Sequence, residues 1–357
     1  MPVSDTEKKN NHQTLYRKYR PMSFADVHGQ EHVTDVLIAS MKKGDVGHAY
    51  LFIGTRGIGK TTIARVFAKD LGCSPEDIYE IDGASHRKID DIRAIRDAVG
   101  TLPFSSPYKI YIIDEVHMLT KEAFNALLKT LEEPPAHVIF MMATTEPEKI
   151  PDTIISRCQV YRLRRPSIMV IAENLQSVVE KEKKKIEKEA SELIALFAHG
   201  SFRDSLSILQ MVMSLSDDKK ISVDEVEHVL GASSRKVLFE YLSACAQINT
   251  EKIMEILYTI EKDDNDAYMF VVRMVQQMRD LLHVRFIPAR RKELLEKSDS
   301  IEGDWIEKHL GTEGKVLNAQ FLSVLLDLQG RLRNAANPHI LLQIGMMEWV
   351  AIVQEKA

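Results

Sequence analysis

Gly54-Thr55-Arg56-Gly57-Ile58-Gly59-Lys60-Thr61 places glycines at three positions of one short run and closes on a lysine and a hydroxyl. That pattern suits the holding of a nucleoside triphosphate. Glycine tolerates positive φ and lets backbone N–H groups approach phosphate oxygens, and a helix starting at the lysine adds its positive dipole end. Lys60 is placed to reach the β- and γ-phosphates, and the Thr61 hydroxyl to ligate Mg²⁺, with Thr62 completing the loop. A glycine-rich turn alone is usually just a turn; the full spacing with Lys-Thr attached, between a strand and a helix, is what gives it meaning. Further along, Asp114 and Glu115 close the apolar run Lys109 to Ile113. Two acids after a strand commonly cap the next helix. Beside a phosphate loop, the first is placed to hold Mg²⁺ or its water ligands and the second to orient and deprotonate an attacking water. The expected chemistry is ATP hydrolysis.

These residues need a frame. Ala49 to Ile53 reads as a buried strand, and Lys60 to Leu71 has helical spacing at Ile63, Val66, Phe67 and Leu71. Further strands are expected at 77–82, 109–113, 138–143 and 158–163, alternating with helical patterns. Such alternation predicts an α/β domain, a parallel sheet of five strands with helices on both faces. From Pro166 to about Ser234 the pattern reads as helical throughout, including 168–186, 189–199 and 203–214, and fits a bundle of three or four helices. From Arg235 onward it is helical again, with apolar spacing at Met254, Ile256, Leu257 and Ile260 and a Met- and Leu-rich stretch from Phe321 to Ile352. That zone carries no catalytic constellation, and packing against itself or partners is its expected role. The expected division is a disordered segment 1–14, a nucleotide-binding domain 15–165, an all-α lid 166–235 and an all-α C-terminal domain 236–357.

Composition bounds the reading. The chain has 357 residues and a formal net charge of −5, so any nucleic-acid contact must come from a local patch. No apolar run approaches the roughly 18 to 20 residues that span a bilayer, and the polar start is no signal peptide, which leads to the expectation of a cytoplasmic protein without membrane contact. Three widely spaced cysteines, Cys73, Cys158 and Cys245, form neither a disulfide framework nor a zinc site. The mixed-sign run Glu180 to Glu189 reads as a solvated helix end or loop, and the fifteen methionines as core filling.

Several longer segments are more specific: Leu15 to Gln30 before the first strand, Asn125 to Pro135 at a helix end, Ala143 to Pro151 after a strand, and Ser156-Arg157-Cys158. With the phosphate loop they resemble, over essentially the first 235 residues, the gamma/tau family of bacterial DNA polymerase III clamp-loader subunits, AAA+ ATPases with a helical lid and a helical collar. The resemblance implies roles for further residues. Thr144 matches the first sensor, a polar group for the γ-phosphate or the lytic water. Arg203 matches the second sensor, a guanidinium brought over the phosphates by the lid. Arg157 matches an arginine finger offered to the adjacent subunit's site, a type of group worth roughly 10³ to 10⁵ in rate. Tyr19, Arg20, Pro21 and Gln30 lie where the family covers adenine and ribose; an aromatic, basic stretch is equally a lid for a sheet.

The region Ser85-His-Arg87-Lys88 matches the part that faces duplex DNA in the family, and also fits a plain helix cap with solvated basic residues. Lys88 stands where the family usually has glycine. The family's four-cysteine zinc ribbon is missing, since the chain passes directly from Cys73 to Ile78; this brings it closer to replication factor C small subunits. It stops after the expected collar, where tau forms continue into helicase- and polymerase-binding domains, so helicase tethering is not implied. The partners implied are further copies of the chain, delta and delta-prime subunits, a sliding clamp and the backbone of primer-template DNA. Alternatives are a non-hydrolysing scaffold like delta-prime, which the intact Lys60, Thr61, Asp114 and Glu115 oppose, and a helicase loader or branch-migration motor, which the Ser-Arg-Cys motif and the long helical C-terminal zone disfavour. No polymerase site is expected in this chain.

Overall fold

The computed structural model describes residues 13–85, 92, 94, 97–215, 219–287, 289, 291, 300–310 and 316–356. Most of the expected disordered segment, together with Arg87, Lys88 and the start of the helix expected after them, lies outside the described residues.

Five strands form the central sheet: β1 (Ala49–Ile53), β2 (Ile78–Asp82), β3 (Lys109–Asp114), β4 (Val138–Thr144) and β5 (Gln159–Arg162). Each lies within one residue of its sequence expectation at both ends. All neighbours are parallel, in the order β2-β3-β4-β1-β5. Every residue of β1 and β4 is buried, as befits central strands covered on both faces. Period-two alternation splits the strand side chains between two cores. Tyr50, Phe52, Ile110, Ile112 and Met141 pack with Val33, Leu37, Ile63 and Phe67 from α2 (Glu31–Lys43) and α3 (Lys60–Asp70). Leu51, Ile53, Ile113, Phe140 and Met142 pack with Phe124, Leu127 and Leu131 from α4 (Lys121–Glu132). Each such large apolar side chain contributes about 1.5–3 kcal/mol on burial. A short α1 (Leu15–Lys18) precedes the sheet, and α5 (Asp152–Ile155) leads into β5.

Because β1 sits between β4 and β5, the connections from β1 and β4 depart in opposite directions across the sheet. The carboxyl ends of its strands therefore border a crevice at the point where the strand order switches. One loop near the sheet is held by buried charge. The Asp77 carboxylate accepts from the backbone N–H groups of Phe104, Ser105 and Ser106 at 2.6, 3.0 and 3.0 Å. Desolvation opposes ionisation, yet these hydrogen bonds win and bring the carboxyl down to about 2. Lys109, 3% exposed, donates to the Ala98 carbonyl and the Thr101 hydroxyl and lies over the Tyr79 ring.

The lid helices are α6 (Ile168–Lys181), α7 (Lys188–Phe197) and α8 (Phe202–Leu215). Here the sequence expectation is corrected in one respect, for the zone is not helical throughout. The first helix stops at Lys181, Lys183 adopts φ +59°, and Lys185–Ile186 (β6) pairs in parallel with Lys220–Ile221 (β7). Burial of Ile221 anchors this two-residue ladder, which is too short to show any period in the sequence.

The chain divides into two compact units, residues up to Ser222 and residues from Val223 onward. The second unit contains α9 (Val223–Leu230), α10 (Arg235–Ala246), α11 (Thr250–Lys262), α12 (Ala267–Phe286), α13 (Ser300–His309), α14 (Ala319–Leu332) and α15 (Pro338–Lys356). Ser234, Asn249, Asp266 and Asn318 cap four of these helices through side-chain oxygens. Leu242, Phe270, Met274, Trp305, Phe321 and Trp349 build its core. Within it, Arg273 of α12 reaches Glu227 of α9 at 2.9 Å and the Ser233 carbonyl, both side chains under a tenth exposed. Among the described residues no helix is long and apolar enough to cross a membrane. Cys73 and Cys245 are buried and Cys158 is half-buried; burial pushes the Cys73 thiol up to about 11 and Cys158 up to about 12, so both stay protonated at neutral pH.

Candidate nucleotide-binding site

The run from Gly54 to Gly59 is the turn joining β1 to α3. The Gly54 N–H donates to the carbonyl of Thr144, which fixes the turn to the end of β4. Gly57 and Gly59 take φ +76° and +107°, values that side-chain-bearing residues rarely adopt. At Gly57 there is a second demand: a Cβ would lie 1.9 Å from Ser201 Oγ, and the Gly57 carbonyl accepts from the Phe202 N–H at 3.0 Å. The first turn of α8 is thus seated directly on the loop.

A cavity of about 470 Å³ opens over this turn. Its floor comes from Arg56, Gly57, Ile58, Gly59, Lys60, Thr61 and Thr62; one side comes from Tyr19, Arg20 and Pro21, another from Asp114 and Glu115, and Arg203 stands on the lid side. Gly54 and Thr55 contribute their carbonyls, which accept from Lys60 Nζ at 2.9 and 3.1 Å. Lys60 is 5% exposed, and burial pushes its ammonium below the ordinary lysine range against the pull of Glu115 and Asp114. Thr61 Oγ1 donates to Asp114 Oδ2 at 2.7 Å. This hydroxyl and carboxylate, adjacent at the cavity and both hard oxygen donors, fit a magnesium ion.

Glu115 has left-handed φ of +46°. Its Oε2 accepts from Thr145 Oγ1 at 3.1 Å and from the Thr145 N–H at 3.3 Å. Arg203 stacks its guanidinium 5.0 Å from the Tyr16 ring centroid.

Other expected residues are placed elsewhere. Gln30 is fully buried and does not line the cavity; its amide donates to the Arg164 carbonyl at 2.7 Å and accepts from the Arg164 N–H at 3.1 Å, a two-point clamp on the chain leaving β5. The Thr144 hydroxyl, also fully buried, meets His117 Nδ1 at 3.1 Å and accepts from the Glu146 N–H at 3.0 Å. Arg157 stands away from the cavity, half-exposed and paired with Glu132 at 2.7 Å. Ser85 donates to Asp82 Oδ2 at 2.8 Å, and Arg87 and Lys88 lie outside the described residues.

The cavity also recruits residues that sequence reasoning missed. Asp82 ends β2 in register with Asp114, so a further carboxylate reaches the rim beside Asp26, Asp114 and Glu115. Its signal was available, an acid at the end of an apolar strand. Tyr16, Val27 and His28 join from the N-terminal segment, and Asn174, Phe202 and Leu206 from the lid helices. Only the fold brings those lid residues to the loop.

The parallel sheet, phosphate loop and helical lid define an AAA+ nucleotide-binding protein. Among solved structures, the Thermotoga maritima RuvB Holliday junction branch migration motor shares this fold with a TM-score of 0.52 at 24% identity, over 65% of this chain and 80% of that one. A family model described as DNA polymerase III, delta subunit matches residues 29–86 and 76–167, and one for the ATPase lid domain of DNA polymerase III clamp loader subunits matches 170–217. The chain is 40% identical over 299 residues to DNA polymerase III subunit tau of Bacillus subtilis, covering 78% of this chain and 53% of that protein. It is 38% identical over 295 residues to DNA polymerase III subunit gamma of Buchnera aphidicola, covering 77% and 81%. The chain belongs to the gamma/tau family of DNA polymerase III clamp-loader subunits. It spans about half the length of the tau relatives from Bacillus, Salmonella and Escherichia.

Proposed function

We propose that this chain is an ATP-driven motor subunit of a bacterial clamp loader, binding and hydrolysing ATP in the cytoplasm to place a sliding clamp on primed DNA. The observation that carries the reading is the convergence of Lys60, Thr61, Asp114, Glu115 and Arg203 on one cavity, in a chain of the gamma/tau family. Lys60 exchanges the Gly54 and Thr55 carbonyls for phosphate oxygens. Thr61 and Asp114 would hold magnesium, which when bound neutralises charge on the β- and γ-phosphates. Glu115 orients a water and takes its proton. Tyr19, Arg20 and Pro21 border the base and ribose, and Gln30 braces that wall from behind.

Arg203 reads the phosphates from the lid. Thr144 supports the reacting end of the site, and Arg157 serves the site of an adjacent subunit, leaving Glu132 as it does so. Ser85, Arg87 and Lys88 contact the DNA backbone. The nucleotide domain extends over 15–165, the lid over 166–235 and the collar over 236–357. The assembly is a ring with further copies, delta and delta-prime subunits. The chain contributes no polymerase site of its own.

The test mixes the chain with clamp, partner subunits and primed DNA and compares wild type with Lys60→Ala and Arg157→Ala. Lys60→Ala is expected to lose ATP binding. Arg157→Ala is expected to bind ATP normally and lose DNA-stimulated hydrolysis. Turnover by Lys60→Ala equal to wild type sinks the ATPase reading; undiminished turnover by Arg157→Ala sinks only the role in the adjacent site.

A further inference from the structure

His117 follows Glu115 by two residues, at the 3₁₀ turn Val116–Met118, and it does not line the cavity. Its side chain is 5% exposed, and each ring nitrogen meets oxygen. Nε2 lies 3.1 Å from Glu146 Oε1, while Nδ1 lies 3.1 Å from Thr144 Oγ1 and 3.4 Å from Glu115 Oε2. An ionised carboxylate only accepts, so Glu146 holds the proton on Nε2. Lys149, 2.7 Å from the other Glu146 oxygen, keeps that carboxylate ionised and in place. In the neutral ring Nδ1 is then the acceptor for the Thr144 hydroxyl, whose oxygen already accepts from the Glu146 N–H. Glu146 thereby closes a loop through His117 and Thr144 back to its own backbone.

Glu115 stands against this loop at His117 Nδ1. The contacts from Thr145 and His117 converge on Oε2, and Oε1 carries none of them. We infer that His117, whose unprotonated Nδ1 faces Oε2 and offers it no hydrogen, sets the orientation of the Glu115 carboxylate by leaving Thr145 as its donor, and couples it to Thr144 without touching nucleotide. It is a positioning residue for hydrolysis rather than for ATP binding. The inference rests on the reading of Glu115 as the base that activates water. A carboxylate turned by an ångström or so from its working place costs on the order of 100-fold in turnover, while the phosphate loop is unaffected.

Two amides separate the ends of the ring. In His117→Asn the side-chain amide falls where Nδ1 stands; in His117→Gln it reaches the place of Nε2. Steady-state ATPase, ATP affinity and thermal melting are measured on the full chain with its partner subunits, beside wild type and Lys60→Ala. The inference expects His117→Asn to keep kcat within about 3-fold of wild type and His117→Gln to lose roughly 30-fold, with KM and ATP affinity within about 2-fold in both.

Equal kcat for both variants and wild type overturns it. So does the reverse order, which would make the Glu146 contact the important one, and so does a rise in KM at constant kcat. If either variant melts without a cooperative transition, Glu146→Gln decides: it leaves the ring in place but frees its tautomer, and an unchanged kcat there overturns the inference. Wild-type turnover insensitive to Lys60→Ala removes the ATPase reading and this inference together; a Lys60-dependent turnover indifferent to His117 removes the inference alone.

Discussion

Two buried cations, one in each compact unit, are held in opposite ways. Lys60 on the phosphate loop is 5% exposed and donates to two carbonyls, with the carboxylates of Asp114 and Glu115 nearby at the same cavity. Arg273 in the helical unit is 6% exposed and is paired face to face with Glu227, with a backbone carbonyl closing the set. Burial pushes both groups down from their ordinary ranges. The difference lies in what remains to be satisfied. The arginine's charge is matched inside the protein and serves the fold, whereas the lysine's is only partly matched and is suited to an incoming anion.

Substitution at each cation is the sharpest way to break this contrast. Lys60→Met is expected to reduce ATP turnover to background while the melting temperature stays within about 3 °C of wild type, because an incompletely paired buried charge contributes little to stability. A large fall in melting temperature would show that Lys60 serves the fold after all. Arg273→Leu is expected to destabilise the helical unit by about 3–5 kcal/mol, read by urea unfolding, since it leaves Glu227 buried without its partner. The double variant Glu227→Leu/Arg273→Leu is expected to recover most of that loss.

A smaller effect is expected at the loop's seat for the lid. Gly57→Ala adds a Cβ at φ +76° and against Ser201, and is expected to weaken ATP binding by about 10-fold with the sheet intact. Gly57→Ala/Ser201→Gly should regain part of that affinity, measurable by calorimetry.

The smallest effect concerns a buried anion, Asp77, for comparison with the two cations. Its carboxyl is lowered from the ordinary 3.8 to about 2 in the fold, so its stabilisation is complete above pH 4 and disappears as pH falls to about 2. Asp77→Asn is expected to lower the melting temperature by about 2–4 °C at pH 7 and by progressively less towards pH 2. A gap that widened on acidification would contradict the assignment.

The two units were not equally legible in the sequence. The central strands β1, β3 and β4 and the phosphate loop were readable because burial on both faces forces continuous apolar runs, and because phosphate binding fixes glycine, lysine and threonine at set distances. Lys60, Thr61, Asp114, Glu115 and Arg203 all line one cavity. Gln30 was read as a cover for the base, yet its amide clamps Arg164, a partner 134 residues away that no local pattern indicates. Thr144 was marked by the family resemblance, but its meeting with His117 depends on the pairing of β3 with β4. In the helical unit, spacing signalled helices but gave no hint that Glu227 and Arg273 would meet. The β6–β7 ladder was hidden inside a lysine-rich run, where two paired residues leave no periodic trace.

The clamp at Gln30 has a mechanical meaning. One side-chain amide ties the segment that enters the nucleotide domain to the segment that leaves it for the lid, using both of its hydrogen-bonding ends on a single residue's backbone. A glutamate in its place could accept but not donate, and the knot would slip on one side. The two ends of the domain are thus fastened to each other at a single side chain.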